Sequence, residues 1–447
     1  MPDDSHPVSN TEVKSKKERL QWGYEQRKHL GRGKLGLLYT RKRSVNPMEI
    51  LHAAAKGRVP GLLCLKYKRM ATSAFTFFRG SVQIMAADLA SQPHTGITVQ
   101  LCGDAHVQNL GCYGAPDGRL VFDLNDFDET NAGPWEWDVK RMAASIVLAG
   151  LESDGDKAAC EGAVESFVDS YCATIEVLAE EPILVAARHI IHRVKSAKAI
   201  SAAWQQAERA QPLDLLKRYT QQDIRGHIRF RNIDGQLWRL PSEKRQKVLA
   251  ALDVYRQSLP PERVHLFNFF HPIDVAFKVA GTGSVGLRNY VTLMIGNGGH
   301  DPLFLQIKQE VPSAYEPYLQ QNLYDHQAKR VVEGQRKIQP LSDFLLGWTS
   351  IDGRDFLVRQ LNDHKGSVDL RTLRGNGLSS LAVIAGELLA RGHARSGDAL
   401  KIKGYIGSSG KVVKAITQYG MDYAELTQHD FHAFQKAMDA GQFKTAA

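Results

Sequence analysis

The 447-residue sequence predicts an α+β fold with two lobes, one mostly helical and one built around a small sheet. Apolar residues recur at helical spacing over residues 139–150 and 158–181, and residues 183–258 are also predicted to be helical. Strand-like runs on both sides of a glycine-rich turn at 281–286 predict a β-hairpin. Two short apolar strands joined by a turn at 114–118 carry polar side chains, which is typical of a phosphate site.

Composition favours a cytoplasmic protein that binds small anionic ligands. Lys and Arg number 57 against 48 Asp and Glu, a net charge of +9, which suits nucleotides but does not indicate specific nucleic-acid binding. The five cysteines lack C-x-x-C spacing, which is typical of a reducing compartment rather than a disulfide scaffold or a zinc site. No apolar run approaches the roughly 20 residues that span a bilayer, and the N-terminus lacks a signal-peptide core, so no membrane association is expected.

Residues 1–60 are predicted to be a basic N-terminal arm and lead-in. Up to about residue 30 the chain is charged and poor in large apolar side chains, which indicates a loose arm. Residues 31–36 match G-x-G-x-x-G, but no strand precedes them and basic residues follow where a Rossmann helix would begin. These six residues are therefore predicted to form a flexible basic turn.

Arg79 ends a run of aromatic residues inside a helix-like segment at 69–89. Phe75, Phe77 and Phe78 are typical of core packing. A guanidinium among them needs an anionic partner if it is buried. Two interpretations of Arg79 stay open, a phosphate or substrate contact and a structural salt bridge.

The most informative stretch is 101–141, where Asp104, Asn109 and Asp123 lie on the two short apolar strands. Phosphoryl transfer needs one carboxylate to orient the attacking hydroxyl, and an amide with a second carboxylate to hold Mg²⁺. Asn109 is the fifth residue after Asp104, as in the kinase pattern H-R-D-x-x-x-x-N, and Asp123 follows the next strand. The spacing predicts Asp104 as the base, and Asn109 and Asp123 as metal ligands. Ordinary turn formation is the alternative, but it does not explain the apolar residue between the first two.

Two further carboxylates, Asp126 and Asp128, follow the second strand. Asp126 is included among the predicted metal ligands. The pair can hold a second metal ion, or can repel each other so strongly that one member stays protonated. His106, Arg79, Arg288 and His393 are predicted substrate contacts.

The hairpin at 281–286 is predicted to cover the phosphates of a nucleotide. Gly281, Gly283 and Gly286, together with Ser284, allow backbone amides to approach phosphate oxygens. A Rossmann loop would continue into a helix, whereas a strand follows here, which favours a kinase-type loop. A β-meander without a ligand is the alternative.

Lys308 lies in the apolar run 302–308 and is predicted to grip the nucleotide phosphates. Kinases pair this lysine with a glutamate on the following helix. Glu333 is the first choice because its surroundings are helical, and Glu316, which precedes Pro317, is the second. The alternative is that Lys308 extends its amine into water.

The predicted organisation has three parts after the lead-in. Residues 61–270 are the catalytic large lobe, residues 271–364 are the small lobe, and residues 365–447 are helices that complete the large lobe. The small lobe is predicted to contain a hairpin, the lysine strand, a helix and a second hairpin that turns at Asp352 and Gly353.

The wording G-D-x-H-x-x-N at 103–109 resembles the small-molecule branch of the protein-kinase-like superfamily, the aminoglycoside and choline phosphotransferases. In that resemblance Asp138, within the segment 133–141, is a buried carboxylate that braces the catalytic loop. Kinases place the glycine-rich loop before the catalytic loop, whereas here it follows. The resemblance therefore implies a circularly permuted kinase-like fold, because a fold depends on which elements meet and not on where the chain begins.

The chain is also similar to the bacterial DUF2252 family from about residue 69 to about residue 430. The motifs that carry this similarity stand at 69–80, 103–109, 122–129, 281–288 and 393–398. The kinase-like resemblance implies ATP and Mg²⁺ as cofactors, and transfer of a phosphoryl group to an unknown, small-molecule acceptor.

Three alternatives for the activity stay open. They are nucleotidyl (AMP) transfer, a catalytically silent nucleotide-binding protein of the same fold, and a metallophosphoesterase. The last needs several histidines, typically in a G-N-H-[DE] segment, and residues 296–300 do not fit that pattern.

Overall fold

The computed structural model describes residues 14–38, 43, 46–190, 198–279, 281, 283–299, 301–319, 324–361 and 366–443. Within these residues the fold combines a helical body with a large antiparallel sheet, which confirms the predicted α+β class. None of the described helices is long and apolar enough to cross a membrane.

The first half of the helical body contains the strands that border the predicted catalytic loop. Its elements are α1 (Lys16–His29), α2 (Pro47–Ala54), α3 (Pro60–Met70), α4 (Ala74–Gly80), α5 (Val82–Ala90), β1 (Thr98–Leu101), β2 (Leu110–Gly114), β3 (Leu120–Leu124), β4 (Asn131–Pro134), α6 (Trp135–Glu152) and α7 (Lys157–Glu180).

The second half contains the sheet and then returns to the helical body. Its elements are α8 (Ile183–Ala187), α9 (Lys198–Arg209), α10 (Pro212–Tyr219), β5 (Thr220–Gln222), β6 (Ile228–Phe230), β7 (Leu237–Arg239), α11 (Ser242–Gln257), α12 (Pro261–Phe267), β8 (His271–Lys278), β9 (Asn289–Ile295), β10 (Pro302–Gln309), α13 (Gln327–Ile338), β11 (Gly347–Ile351), β12 (Arg354–Gln360), β13 (Gly366–Ser367), α14 (Gly377–Ser396), α15 (Ala399–Ile406) and α16 (Gly410–Asp439).

Helix α6 forms the centre of the helical body, because every residue from Trp135 to Gly150 is buried. It contacts α7, α14 and α16. A helix that is enclosed on all sides must be apolar all round or must pair its polar groups. Lys140 meets this requirement by lying 4.4 Å over the ring of Tyr419. The enclosed helix gives a fixed base to the predicted catalytic loop at residues 103–109.

Two small pairings position that loop. Strands β1 and β4 pair antiparallel, with Leu101 opposite Asn131, and β2 and β3 form a hairpin to which β13 adds a third strand. The backbone N–H of Asn125 donates to the carbonyl of Asn109 at 3.0 Å. The chain after β3 is thereby held beside the loop that begins at residue 102.

The large sheet has six antiparallel strands in the order β11-β12-β10-β9-β8-β7. Its elements follow the chain as a hairpin (β8 and β9), the strand that carries Lys308 (β10), a helix (α13) and a second hairpin (β11 and β12). Apolar side chains of the sheet pack with α11 and α12 into a separate core that includes Tyr255, Tyr290 and Phe356.

Two predicted helical segments are interrupted. The prediction for residues 183–258 is wrong in its middle, where β5, β6 and β7 form. The edge strand β7 pairs with β8 through Leu237 and Lys278. Tertiary pairing overrides the local helical pattern here. The segment 69–89 divides because Ser73 caps α4 through the N–H of Thr76 and the chain turns again at Ser81.

The N-terminal prediction of a loose arm is wrong for residues 16–29, which form α1. Ser15 and Glu18 make a capping box, so the helix has a defined beginning despite its few apolar residues. Arg19 forms a bidentate ion pair with Asp398 at 2.9 Å for both contacts. Arg27 donates to two carbonyls of α15. Polar contacts to α15, which composition does not reveal, hold this helix in place.

Candidate functional site

A cleft lies between the large sheet and the helical body. The loop at 103–109 and residues 126–129 form one wall, the glycine-rich hairpin and β10 form the other, and residues from α4 and the chain before α3 close one end. Two motifs distant in sequence are therefore brought together. Ten residues named in the sequence analysis as site candidates line the cleft: Arg79, Asp104, His106, Asn109, Asp126, Asp128, Gly281, Gly283, Ser284 and Lys308.

Asp104 stands at the tip of a loop that is fixed from below. Gly103 has a φ of +88°, and a Cβ at this position would collide with the backbone of Glu129, so glycine is required. Asp104 Oδ1 accepts from Arg141 Nε at 2.7 Å, and its own carbonyl accepts from Asn109 Nδ2 at 2.8 Å. Burial raises the pKa of Asp104, although Arg141 opposes the shift. The Asp104 side chain lines the cleft and keeps 18% of its surface exposed.

Asp138 lies beneath this loop, fully buried. Its two oxygens accept from the backbone N–H groups of Cys102 at 2.7 Å and Gly103 at 3.0 Å. His393 Nε2 lies 3.3 Å from the same carboxylate, and Tyr171 contacts the other ring nitrogen at 2.8 Å. The carboxylate therefore holds the loop at its first two amides and does not face the cleft.

Lys308 joins the sheet to the acidic residues of the helical body. Its ammonium contacts the carboxylate of Asp128 and lies 3.8 Å from Asp126 Oδ1. Ser284 Oγ donates to the same oxygen of Asp128 at 3.0 Å, so the glycine-rich hairpin is tied to this cluster. Burial disfavours the charged form of Asp128, but Lys308 outweighs it and holds the pKa at about 2.

Asp123, a predicted metal ligand, does not line the cleft. It is buried, its carboxylate pairs with Arg391 of α14, and Oδ1 also accepts from the N–H of Leu124 at 2.8 Å. Side chains alternate between the two faces of a strand, and Asp123 is on the face of β3 toward α14. Asp126, beyond the end of the strand, reaches the cleft instead.

Gly286 and Arg288 lie at the base of the glycine-rich hairpin rather than at its tip. Gly286 has a φ of +93°, and its carbonyl accepts from the N–H of Val59 at 2.7 Å. Arg288 Nη1 donates to Gln309 Oε1 at 3.1 Å. Both residues shape the hairpin without lining the cleft.

Glu333 lies on α13 near Arg336, and the ion pairs of Lys308 within the described chain are with the two aspartates above. Glu310, which sequence reasoning missed, lines the cleft two residues after Lys308. Its Oε1 is buried without a hydrogen-bond partner among the described residues, and burial raises its pKa well above the usual range. Residues two apart share one face of a strand, so the spacing from Lys308 to Glu310 could have predicted that both face the cleft.

Helix α13 contacts residues 126–130, here called the acidic segment, through Arg330. This is a second residue that sequence reasoning missed. This arginine is buried, and it donates to the backbone carbonyls of Thr130 at 2.5 Å, Asp128 at 2.8 Å and Val311 at 3.1 Å. The helix that follows the lysine strand therefore binds the backbone of the acidic segment.

The oxygen donors of the cleft suit Mg²⁺. Asp126 Oδ1 is buried and has no hydrogen-bond partner within the described chain, and Asn109 lies in the same cleft. Mg²⁺ usually takes one or two carboxylates with water and substrate phosphates, rather than a complete protein cage. No group of three or more His, Cys, Asp or Glu residues in the described ranges is arranged to hold a metal by itself.

The carboxyl group of Glu129 makes the free energy of unfolding depend on pH. Burial raises its pKa to about 7, although the N–H of Ala314 donates to Oε2 at 2.6 Å. Between pH 5 and pH 7 the folded protein therefore holds a proton that the unfolded chain has released, so stability falls as pH rises. Relative to Glu129→Gln, the wild-type free energy of unfolding should fall by about 2 kcal/mol from pH 5 to pH 8. Parallel urea-unfolding profiles across this range would contradict the assignment.

Comparison with protein families identifies one match over most of the chain. The profile of the family described as an uncharacterized protein conserved in bacteria (DUF2252) matches residues 58–437. Comparison with curated proteins and with solved structures finds no match. The matched range includes both walls of the cleft. The chain belongs to the DUF2252 family.

Proposed function

We propose that this protein is an ATP- and Mg²⁺-dependent phosphotransferase that acts on a small-molecule acceptor, with a kinase-like fold in circularly permuted order. One observation carries the proposal. The cleft brings Lys308 of the sheet to Asp126 and Asp128, opposite Asp104 and beneath the tip of the glycine-rich hairpin. These are the groups that phosphoryl transfer requires.

Each group has a role that its position supports. Asp104, partly exposed and oriented by Arg141, accepts the proton of the acceptor hydroxyl. Lys308 grips the phosphates, and the glycine-rich hairpin covers them with backbone amides. Asn109 and Asp126 would hold Mg²⁺, which neutralises charge on the phosphate oxygens when it is bound.

The order of elements supports the permutation. From β8 to β12 the chain forms a hairpin with a glycine-rich tip, a strand with an inward lysine, a helix and a second hairpin. The strands that border the Asp104 loop precede the sheet in sequence. Helix α14, which follows the sheet, packs against α6 and α7 and so returns the chain to the body that carries the loop.

Label transfer tests the proposal directly. Purified protein is first tested for a thermal shift with ATP, with Mg²⁺ and with both. It is then incubated with γ-labelled or α-labelled ATP and pools of small hydroxyl compounds. We expect transfer from the γ-position, whereas transfer from the α-position would indicate nucleotidyl transfer. Nucleotide binding without transfer to any compound, or to the protein itself, would indicate a silent binding protein.

Asp104→Asn is the matching variant. We expect transfer to fall by about 10²–10⁴-fold, because the amide cannot accept the acceptor proton. Asp117→Asn is the control, since this residue is an exposed carboxylate of the adjacent β-turn that pairs with nearby Arg119. Thermal unfolding of each variant separates lost chemistry from lost folding. Equal activity in both variants would remove Asp104 from the mechanism.

A further inference from the structure

We infer that the acceptor carries an anionic group, a phosphate or a carboxylate, which Arg79 and Arg58 bind beside the hydroxyl that receives the phosphoryl group. This inference rests on the proposed function and narrows its substrate class. It follows from the charges at the end of the cleft formed near α3 and α4, where Arg79 and Arg58 form no ion pair with a carboxylate of the described chain.

Arg79 has neutral hydrogen-bond partners. Its Nη1 donates to Gln108 Oε1 at 2.5 Å and its Nε to His106 Nε2 at 3.4 Å. Burial lowers the pKa of His106 well below its usual range, so this partner is uncharged. No carboxylate of the described chain forms an ion pair with Arg79, which leaves its positive charge facing the cleft. Of the two interpretations left open by the sequence, the structure favours a ligand contact over a structural salt bridge.

Arg58 adds a second cation at the same end. Its Nη1 donates to the carbonyls of Gly283 at 3.1 Å and Val285 at 2.6 Å, and its Nε to Ala54 at 3.1 Å. These partners are backbone groups without net charge, and Arg58 also lines the cleft. Burial lowers the pKa of Arg58. Two guanidinium groups in a partly desolvated cleft favour a bound anion, which each can contact with more than one N–H.

The position of Arg79 relative to Asp104 sets the size of the acceptor. His106 Nε2 lies 3.4 Å from Arg79 and 3.6 Å from Asp104 Oδ2, so a single imidazole separates the guanidinium from the proposed base. A molecule that contacts both therefore places its hydroxyl only a few bonds from its anionic group. A phosphorylated or carboxylated polyol has these dimensions.

A cationic acceptor fits this end poorly. The carboxylates of Asp104, Asp126 and Glu152 act electrostatically on Arg79. Asp104 is already paired with Arg141. The ammonium of Lys308 forms an ion pair with Asp128. An amino alcohol would place a like charge beside Arg79, and the two cleft carboxylates that could compensate it, Asp104 and Asp126, already face Arg141 and Lys308. The charges thus select against amino alcohols.

Four probes test the inference without requiring nucleotide. Glycerol 3-phosphate and glycerate share a hydroxylated carbon chain and differ in their anionic group, glycerol lacks the anion, and choline carries a cation. Calorimetric titration of wild-type protein should show saturable binding of at least one anionic probe and none of glycerol or choline. The two anionic probes distinguish a phosphate from a carboxylate as the natural ligand group. Failure of both anionic probes to bind, or preferential binding of glycerol or choline, would overturn the inference.

Arg79→Gln and Arg58→Gln identify the site. Each should weaken binding of the anionic probe at least tenfold. In Arg79→Gln, ATP with Mg²⁺ should still bind within about threefold of wild type, whereas Arg58→Gln also removes the hydrogen bonds to Gly283 and Val285 of the glycine-rich hairpin, so its ATP affinity should fall as well. Arg79→Lys, which retains the charge, should recover part of the affinity, and unfolding temperatures verify that each variant folds. Arg119→Gln is the control, since Arg119 is an exposed arginine paired with Asp117.

The outcomes separate this inference from the proposed function. Loss of ATP affinity in Arg79→Gln with unchanged affinity for the anionic probe would assign the arginine to the nucleotide and overturn the inference. Anion binding that depends on Arg79 in a protein that shows no phosphoryl transfer would support the anion subsite and reject the transferase. Phosphoryl transfer to a neutral or cationic alcohol would support the transferase and overturn the anion subsite.

Discussion

Lys308→Ala should lower phosphoryl transfer by about 10²–10³-fold, the loss typical of removing one preorganised donor from an electrostatic site. The reason is twofold. The variant loses the group that grips the phosphates, and it leaves Asp126 and Asp128 facing each other without their shared counter-ion. Initial rates of label transfer from γ-labelled ATP measure the effect. The thermal shift produced by ATP with Mg²⁺ should decrease in the same variant.

Lys308→Arg separates charge from shape. It keeps a cation beside the aspartates, so its unfolding temperature should lie closer to wild type than that of Lys308→Ala. Its larger planar guanidinium cannot take the place of the compact ammonium at this buried position, so transfer should still fall at least tenfold. Lys68→Ala, at an exposed position of α3, controls for the loss of a lysine. Wild-type transfer in Lys308→Ala would refute the placement of the phosphates.

Arg391→Ala should destabilise the protein by about 3–5 kcal/mol, because it leaves the carboxylate of Asp123 buried without its partner. The double variant Asp123→Asn/Arg391→Ala removes both charges and should recover more than half of that loss. Urea unfolding of the wild type, both single variants and the double variant closes the thermodynamic cycle. Arg374→Ala is the control, since Arg374 forms an exposed pair with Asp154 and should change stability by less than about 1 kcal/mol.

The same cycle decides the role of Asp123. If Asp123 is a structural partner of Arg391, Asp123→Asn should lower the stability of the protein. If Asp123 is a metal ligand, the same variant should lose Mg²⁺-dependent turnover while its stability is unchanged. If Arg391→Ala costs no more than the Arg374 control, the buried pair has no structural importance.

The sequence predicted the strands and the loop better than it predicted side-chain direction. Local patterns define the loop from Asp104 to Asn109 and the strand that contains Lys308. All three residues line the same cleft. Asp123 differs because a shift of one residue along a strand reverses the face, and spacing alone does not determine that face. Asp126, three residues later, has the same residue type and lies in the cleft.

Partners of buried charges could not be predicted either. The analogy with kinases assigned Glu333 to Lys308, whereas the structure places Asp126 and Asp128 beside it. Arg391 and Asp123 come from distant parts of the chain, and no local pattern relates them. Such pairs depend on how elements pack, which a single sequence does not specify.

The contacts of Arg330 have a consequence for communication between the surface and the cleft. Because one buried guanidinium holds the backbone carbonyls of Asp128 and Thr130, α13 and the acidic segment are mechanically linked. A rotation or shift of α13 by even a fraction of a helical turn has to carry this backbone with it, or break these hydrogen bonds. We therefore expect a molecule that docks on the outer side of α13 in only one of its positions to change the distance between Asp128 and Lys308 and, under the proposed function, the rate of phosphoryl transfer.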